Sequence, residues 1–119
     1  MKTKLLTLLL ICCGMSAFAQ SNYYEQKAKE YLKEAKYYLD KAEGYDREAT
    51  YYNNKAASYL READYYTRNG NYNKAADNTR WASDAADRAM TQAKWANDAR
   101  DRARAQMRWA KDALDKAKR

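Results

Sequence analysis

The chain has 119 residues, a formal net charge of +7 and a mean hydropathy of −1.05. It contains no histidine or proline, and its two cysteines, Cys12 and Cys13, fall in the N-terminal leader. Beyond residue 19 there is no Cys, His, Pro, Phe, Val or Ile, which excludes disulfides, thiolate and imidazole metal sites and Cys or His catalysis, and leaves alanine and aromatic side chains to build the core.

Residues 1–19 read as a secretory signal peptide. Lys2 and Lys4 give a positive start, Leu5 to Ile11 an apolar run broken only by Thr7, and Ala17-Phe18-Ala19 a small-x-small cleavage site. The run is too short to span a membrane. Lipoprotein anchoring is disfavoured, because lipidation signals want a small residue before the cysteine and here it is Ile11 or Cys12. The expectation is export to a bacterial periplasm, cell surface or medium, with residues 20–119 forming one helical-hairpin domain.

The first helix is expected over about residues 22–68, with Asn22 and Glu25 as a capping pair. Tyrosine doublets recur every fourteen residues, at Tyr23-Tyr24, Tyr37-Tyr38, Tyr51-Tyr52 and Tyr65-Tyr66. Alternating steps of four and three from Tyr24 reach Ala28, Tyr31, Ala35, Tyr38, Ala42 and so on to Tyr66. Every a position of the heptad is therefore alanine and every d position tyrosine. Gly44 lies at an outward c position and weakens the helix without ending it. The turn is placed at Asn69-Gly70-Asn71, a cluster of turn formers.

The second helix is expected over about residues 72–118. Ala75, Ala82, Ala89, Ala96, Ala103, Ala110 and Ala117 form its a stripe, and Ala85, Gln92, Ala99, Gln106 and Ala113 occupy d. Trp81, Trp95 and Trp109 keep the fourteen-residue interval at g. The fold class is all-α: two long helices in an antiparallel, alanine-seamed coiled-coil hairpin.

A turn centred between Gly70 and Asn71 pairs residues whose numbers total 141, so each seam tyrosine faces an alanine, from Tyr24 with Ala117 to Tyr66 with Ala75. The small layers pair Ala28 with Ala113, Ala42 with Ala99, and Ala35 with Gln106. On one flank the expected pairs are Glu34–Arg102, Glu48–Arg88 and Glu62–Lys74, alternating with Lys27–Trp109, Lys41–Trp95 and Lys55–Trp81 as cation–π contacts. On the other they are Leu32–Leu114, Leu39–Met107 and Asp46–Arg100.

An alanine seam buries little apolar area, so further aromatic surface remains to be covered. The outer tyrosines Tyr23, Tyr37, Tyr51 and Tyr65, with Trp81, Trp95 and Trp109, form an edge interleaved with Lys and Arg. The leading reading makes this edge a self-association surface of an exported structural or interaction protein, with a homo-oligomer or filament-like assembly as partner. The plain alternative leaves the tyrosines flat over the groove with their hydroxyls in water.

A second functional reading is an envelope-binding module for anionic glycan, lipopolysaccharide or lipid. Residues 22–73 carry nine basic and nine acidic side chains, whereas residues 74–119 carry twelve and seven, so the excess sits in the C-terminal part. Arg100, Arg104, Arg108 and Lys111 are the candidate anion contacts there. Ion pairs Asp84–Arg88, Asp98–Arg102 and Asp112–Lys116 would absorb part of that charge. Nucleic acid fits least well with an export signal, and a lipid-interface helix ranks third because each helix spends its stripe on the other.

The Asp84/Asp87, Asp98/Asp101 and Asp112/Asp115 pairs offer too few oxygens and no enclosing loop for calcium, and no pocket for glycoside hydrolysis. With no phosphate loop and no nucleophile–base pair, no catalytic residue, cofactor or metal is expected, and the chain is read as non-enzymatic.

Overall fold

A computed structural model describes residues 2–118, with side chains from residue 20 onward. Two helices, α1 (Lys2–Arg68) and α2 (Tyr72–Lys118), form an antiparallel hairpin. The second helix has the expected bounds. The first begins earlier than expected, so Asn22 lies inside it and does not cap it with Glu25. No glycine or proline separates Gln20 from Gly44, and nothing in that stretch interrupts a helix entering from the leader. The expected signal peptide falls on residues 1–19, whose side chains lie outside the described set. Among the described residues, no helix is long and apolar enough to cross a membrane.

The connection is closed by backbone geometry that the sequence dictates. Gly70 adopts φ 76°, the left-handed conformation that only glycine takes without strain. The amide of Asn71 donates to the carbonyl of Tyr66 (2.9 Å) and that of Gly70 to Thr67 (3.2 Å), the two bonds of a Schellman ending. Asn71 then caps α2: its side-chain Oδ1 accepts from the Lys74 amide at 3.3 Å, and its carbonyl accepts the first helical bond, from Ala75. One residue thus ends one cap and begins the next.

Contacts divide the chain into two units, Met1–Tyr37 with Arg102–Arg119, and Tyr38–Asp101. The turn-bearing unit buries Ala42, Ala49, Ala56 and Ala63 of α1 against Ala75, Ala82, Ala85, Ala89, Ala96 and Ala99 of α2. Ala42, Ala96 and Ala99 pack together with Tyr45 against them, the arrangement the register predicts. In the other unit, Ala28, Ala35, Ala103, Ala110 and Ala113 are buried, and the Ser21 hydroxyl donates to the Ala117 carbonyl at 3.2 Å.

Every buried apolar residue among those described is an alanine. The seam tyrosines are half-buried, and among the residues with described side chains each Leu, Met and Trp remains 40–70% exposed. That distribution follows from the helix spacing: alanine at a lets the backbones approach closely, and larger side chains are then extruded to the flanks.

One buried polar residue was not anticipated. Asn78, 3% exposed, occupies a d position of α2; its Nδ2 donates to the Lys74 carbonyl at 2.9 Å, while its Oδ1 is buried without a partner. Gln106, two repeats further on, likewise buries an unpartnered Oε1.

Candidate functional site

Just before each of Ala75, Ala82, Ala89, Ala96, Ala110 and Ala117 of α2 lies a residue that reaches the tyrosine which that alanine faces. Trp81 lies against Tyr59 (centroids 5.8 Å apart), Trp95 against Tyr45 (5.7 Å) and Trp109 against Tyr31 (5.8 Å), all in tilted or edge-on geometry. Lys74 lies over Tyr66 (5.3 Å), Arg88 over Tyr52 (5.8 Å) and Lys116 over Tyr24 (5.6 Å). Tryptophan and cation therefore alternate along the g stripe, and the seam tyrosines alternate between the two covers.

This alternation accounts for the doublets. Where a seam tyrosine is covered by a cation instead of an indole, the outer tyrosine supplies the missing ring. Tyr23, Tyr51 and Tyr65 pack edge-on against Tyr24, Tyr52 and Tyr66 at 5.3, 5.3 and 5.4 Å. Such aromatic pairs contribute about 0.5–1.5 kcal/mol each beyond their area.

Several expected flank contacts are replaced. Lys27 and Lys55 do not reach Trp109 and Trp81; they lie over Tyr23 (5.8 Å) and Tyr51 (5.3 Å), one turn back on their own helix. Side chains on a helix lean towards its N-terminus, which carries a g-position lysine back to residue i−4. Arg88 and Lys74 rest on rings instead of on Glu48 and Glu62. Asp84 and Asp112 lose their expected i,i+4 partners, since Arg88 and Lys116 cross to tyrosine rings of α1. Asp46–Arg100 forms as expected, at 2.6 Å.

The covered rings leave open clefts between the helices. One, of about 450 Å³, is bounded by Tyr23, Lys27 and Tyr31 on α1 and by Trp109, Asp112 and Lys116 on α2. Another, of about 190 Å³, lies in the turn-bearing unit between Tyr52, Lys55 and Tyr59 and the facing Trp81, Asp84 and Arg88. Each presents two cations and one carboxylate around an aromatic floor. A hydrogen bond from Lys55 to the Tyr51 hydroxyl, reinforced by the charge that hydroxyl acquires on ionisation, raises the Lys55 ammonium above the ordinary lysine value. Lys55 is therefore cationic at neutral pH.

The residues expected to form an aromatic edge are exposed to solvent. Tyr23, Tyr37, Tyr51 and Tyr65 are 51–62% exposed, and Trp81, Trp95 and Trp109 are about half-exposed. The candidate anion contacts distribute differently. Arg100 is committed to Asp46 and to the Asn97 side chain, both at 2.6 Å, and Arg104 also has partners. Arg108 and Lys111 are exposed and line neither described cleft. The cations that do line the clefts are Lys27 and Lys55, expected from sequence over the tryptophans of α2, and Arg88 and Lys116, expected in ion pairs; the alternation of Arg88 and Lys116 with tryptophan along g of α2 was the available signal.

No family model matches the chain, and no curated protein or solved structure shows significant similarity to it.

Proposed function

We propose that this is an exported, non-enzymatic interaction protein of the bacterial envelope whose Tyr/Trp edge binds an anionic glycan. The observation that carries this reading is the pair of like-built clefts, each with exposed rings and two cations against one acid. Stacked rings supply flat apolar faces, and the surplus cation supplies long-range attraction to a polyanion. Co-sedimentation with acidic polysaccharide, lipopolysaccharide and anionic vesicles tests it. Binding is expected to weaken as salt rises and to fall sharply when Lys27, Lys55, Arg88 and Lys116 are changed to Gln. Equal binding by that variant would remove the clefts from the function.

Self-assembly is the second reading, and the exposed Leu32, Leu60, Met90 and Leu114 support it. It ranks behind because edge-to-edge contact of two copies would bring positively charged clefts together. Sedimentation of the purified protein over a wide concentration range decides it: a monomer at every concentration ends the assembly reading, and reversible growth of larger species supports it.

A further inference from the structure

The two clefts are internal copies. Moving along α1 from Tyr24, Lys27 and Tyr31 by 28 residues gives Tyr52, Lys55 and Tyr59; moving back along α2 from Trp109 and Asp112 by the same interval gives Trp81 and Asp84. The lining sets differ in two respects: Arg88 stands where Lys116 does, one cation for another, and Tyr23 lines the first cleft whereas its counterpart Tyr51 does not line the second. The sequence carries the set a third time, with Lys41, Trp95 and Asp98 at the intermediate positions. Outward positions at the same spacing are mixed: Lys29 against Ala57, Glu30 against Ser58 and Lys111 against Ser83 differ, whereas Arg80 with Arg108 and Asp87 with Asp115 match.

Packing explains why the rings and cations repeat, because they cover one another. It does not explain the carboxylate. Asp84 and Asp112 are exposed, and neither makes an ion pair or hydrogen bond through its carboxylate with any described residue. A basic patch meant for any polyanion would gain from losing them. A carboxylate kept beside an aromatic floor and two cations has a different use: it accepts hydrogen bonds from neighbouring hydroxyl groups.

We propose that each cleft is a subsite for one acidic sugar residue, a pyranose ring bearing a single anionic substituent. This deepens the anionic-glycan reading and rests on it. The C–H face of the sugar lies on the Trp109 indole beside Tyr31, or on Trp81 beside Tyr59. Asp112 or Asp84 accepts hydrogen bonds from ring hydroxyls. The anionic substituent meets Lys27 and Lys116, or Lys55 and Arg88, which now sit on tyrosine rings at 5.3–5.8 Å and can turn to a bound anion. Ala113 and Ala85 keep the floor open, and the clefts, at about 450 and 190 Å³, suit a single ring. Among the lining side chains, two cations against one carboxylate leave one positive charge for one negative sugar; in the first cleft Lys27 also pairs with Glu30, outside the lining, at 3.8 Å.

The sign of one substitution tests this. Asp84→Asn, Asp98→Asn and Asp112→Asn are combined in one variant, and binding is followed by tryptophan fluorescence and calorimetry. The probes are an oligomer of a uronic acid, the neutral oligomer of the parent sugar, inorganic polyphosphate, and anionic phospholipid vesicles. The uronic acid oligomer is expected to bind with a change in tryptophan emission, and to bind about tenfold more weakly to the triple variant. The neutral oligomer should bind more weakly than the uronic acid oligomer by a similar factor, and polyphosphate should bind, if at all, more tightly to the variant. These residues are exposed and unpaired, so far-UV circular dichroism should be unchanged. If the uronic acid oligomer binds the variant as well or better, or if only vesicles or polyphosphate bind, the sugar subsite is overturned while anion binding stands. If no anionic probe binds, both fall.

Discussion

Gly44 and Gly70 respond to the same substitution in opposite directions. Gly44 sits within α1, and a Cβ there would meet only the Arg47 guanidinium, at 4.0 Å. Gly44→Ala should therefore stabilise the hairpin by about 0.5–1 kcal/mol, by removing backbone freedom from the unfolded chain. Gly70 has open space around it, but its φ of 76° is strained for any residue with a Cβ. Gly70→Ala should destabilise by about 1–2 kcal/mol without any steric clash. Thermal melts of both variants check the signs. Lys55 gives a third outcome at this scale. Its raised pKa means that its contribution to stability is present below the ordinary lysine value and lost as pH climbs through the raised one. Because the group is exposed the effect is small. Lys55→Gln should flatten the fall in melting temperature over roughly pH 9–12 relative to the parent protein. Which residues lie near one another was legible from heptad letters, but which atoms touch was not: letters carry no lean, and the lean of Lys27 and Lys55 decided their partners.

At the scale of the helices, the seam and its end were readable because each depends on spacing and backbone chemistry alone. Alanine at a and tyrosine at d fixed the register, and Asn69-Gly70-Asn71 fixed the turn. Ala96 is fully buried, in the cluster with Ala42, Ala99 and Tyr45. Ala96→Leu should overpack that layer and cost about 1–3 kcal/mol, seen as a lower denaturation midpoint. An unchanged midpoint would mean that Tyr45 swings out at no cost and that the layer is not close-packed. The start of α1 was misread because Asn22 resembles a cap in isolation; a capping residue acts only where the chain before it leaves the helix. Asn78 was missed as a core residue because the d stripe of α2 was begun at Ala85, one heptad too late. Its amide satisfies its donor within its own helix, and its orphaned oxygen is a local cost of about 1–3 kcal/mol that the adjoining alanine layers offset.

For the whole molecule, the fourteen-residue interval separates two patterns that a heptad alone would merge. The a/d seam repeats every seven residues, whereas the covering stripe of α2 alternates tryptophan and cation and so repeats every fourteen. Deletions can pull these apart. Removing residues 46–59 together with residues 82–95 takes a full repeat from each helix. It joins Tyr45 to Leu60 and Trp81 to Ala96, and it leaves Trp81 against Tyr45 as a new pair of the same kind. Removing only residues 46–52 keeps the a/d seam intact but shifts α1 by one heptad. Tyr45 then falls under Arg88, and the Tyr37-Tyr38 doublet meets Trp95, so two rings compete for one place while other tyrosines lose their indole. The matched deletion should melt cooperatively with the aromatic near-ultraviolet dichroism per tryptophan retained. The shorter deletion should lose most of that signal and melt lower, although it removes a quarter as many residues. Equal stability of the two would mean that the alanine–tyrosine seam alone sets the register and that the ring–cation alternation contributes nothing to folding. In that case the repeated Lys, Trp and Asp of the clefts would have no structural reason to recur, and binding would be the explanation left for them.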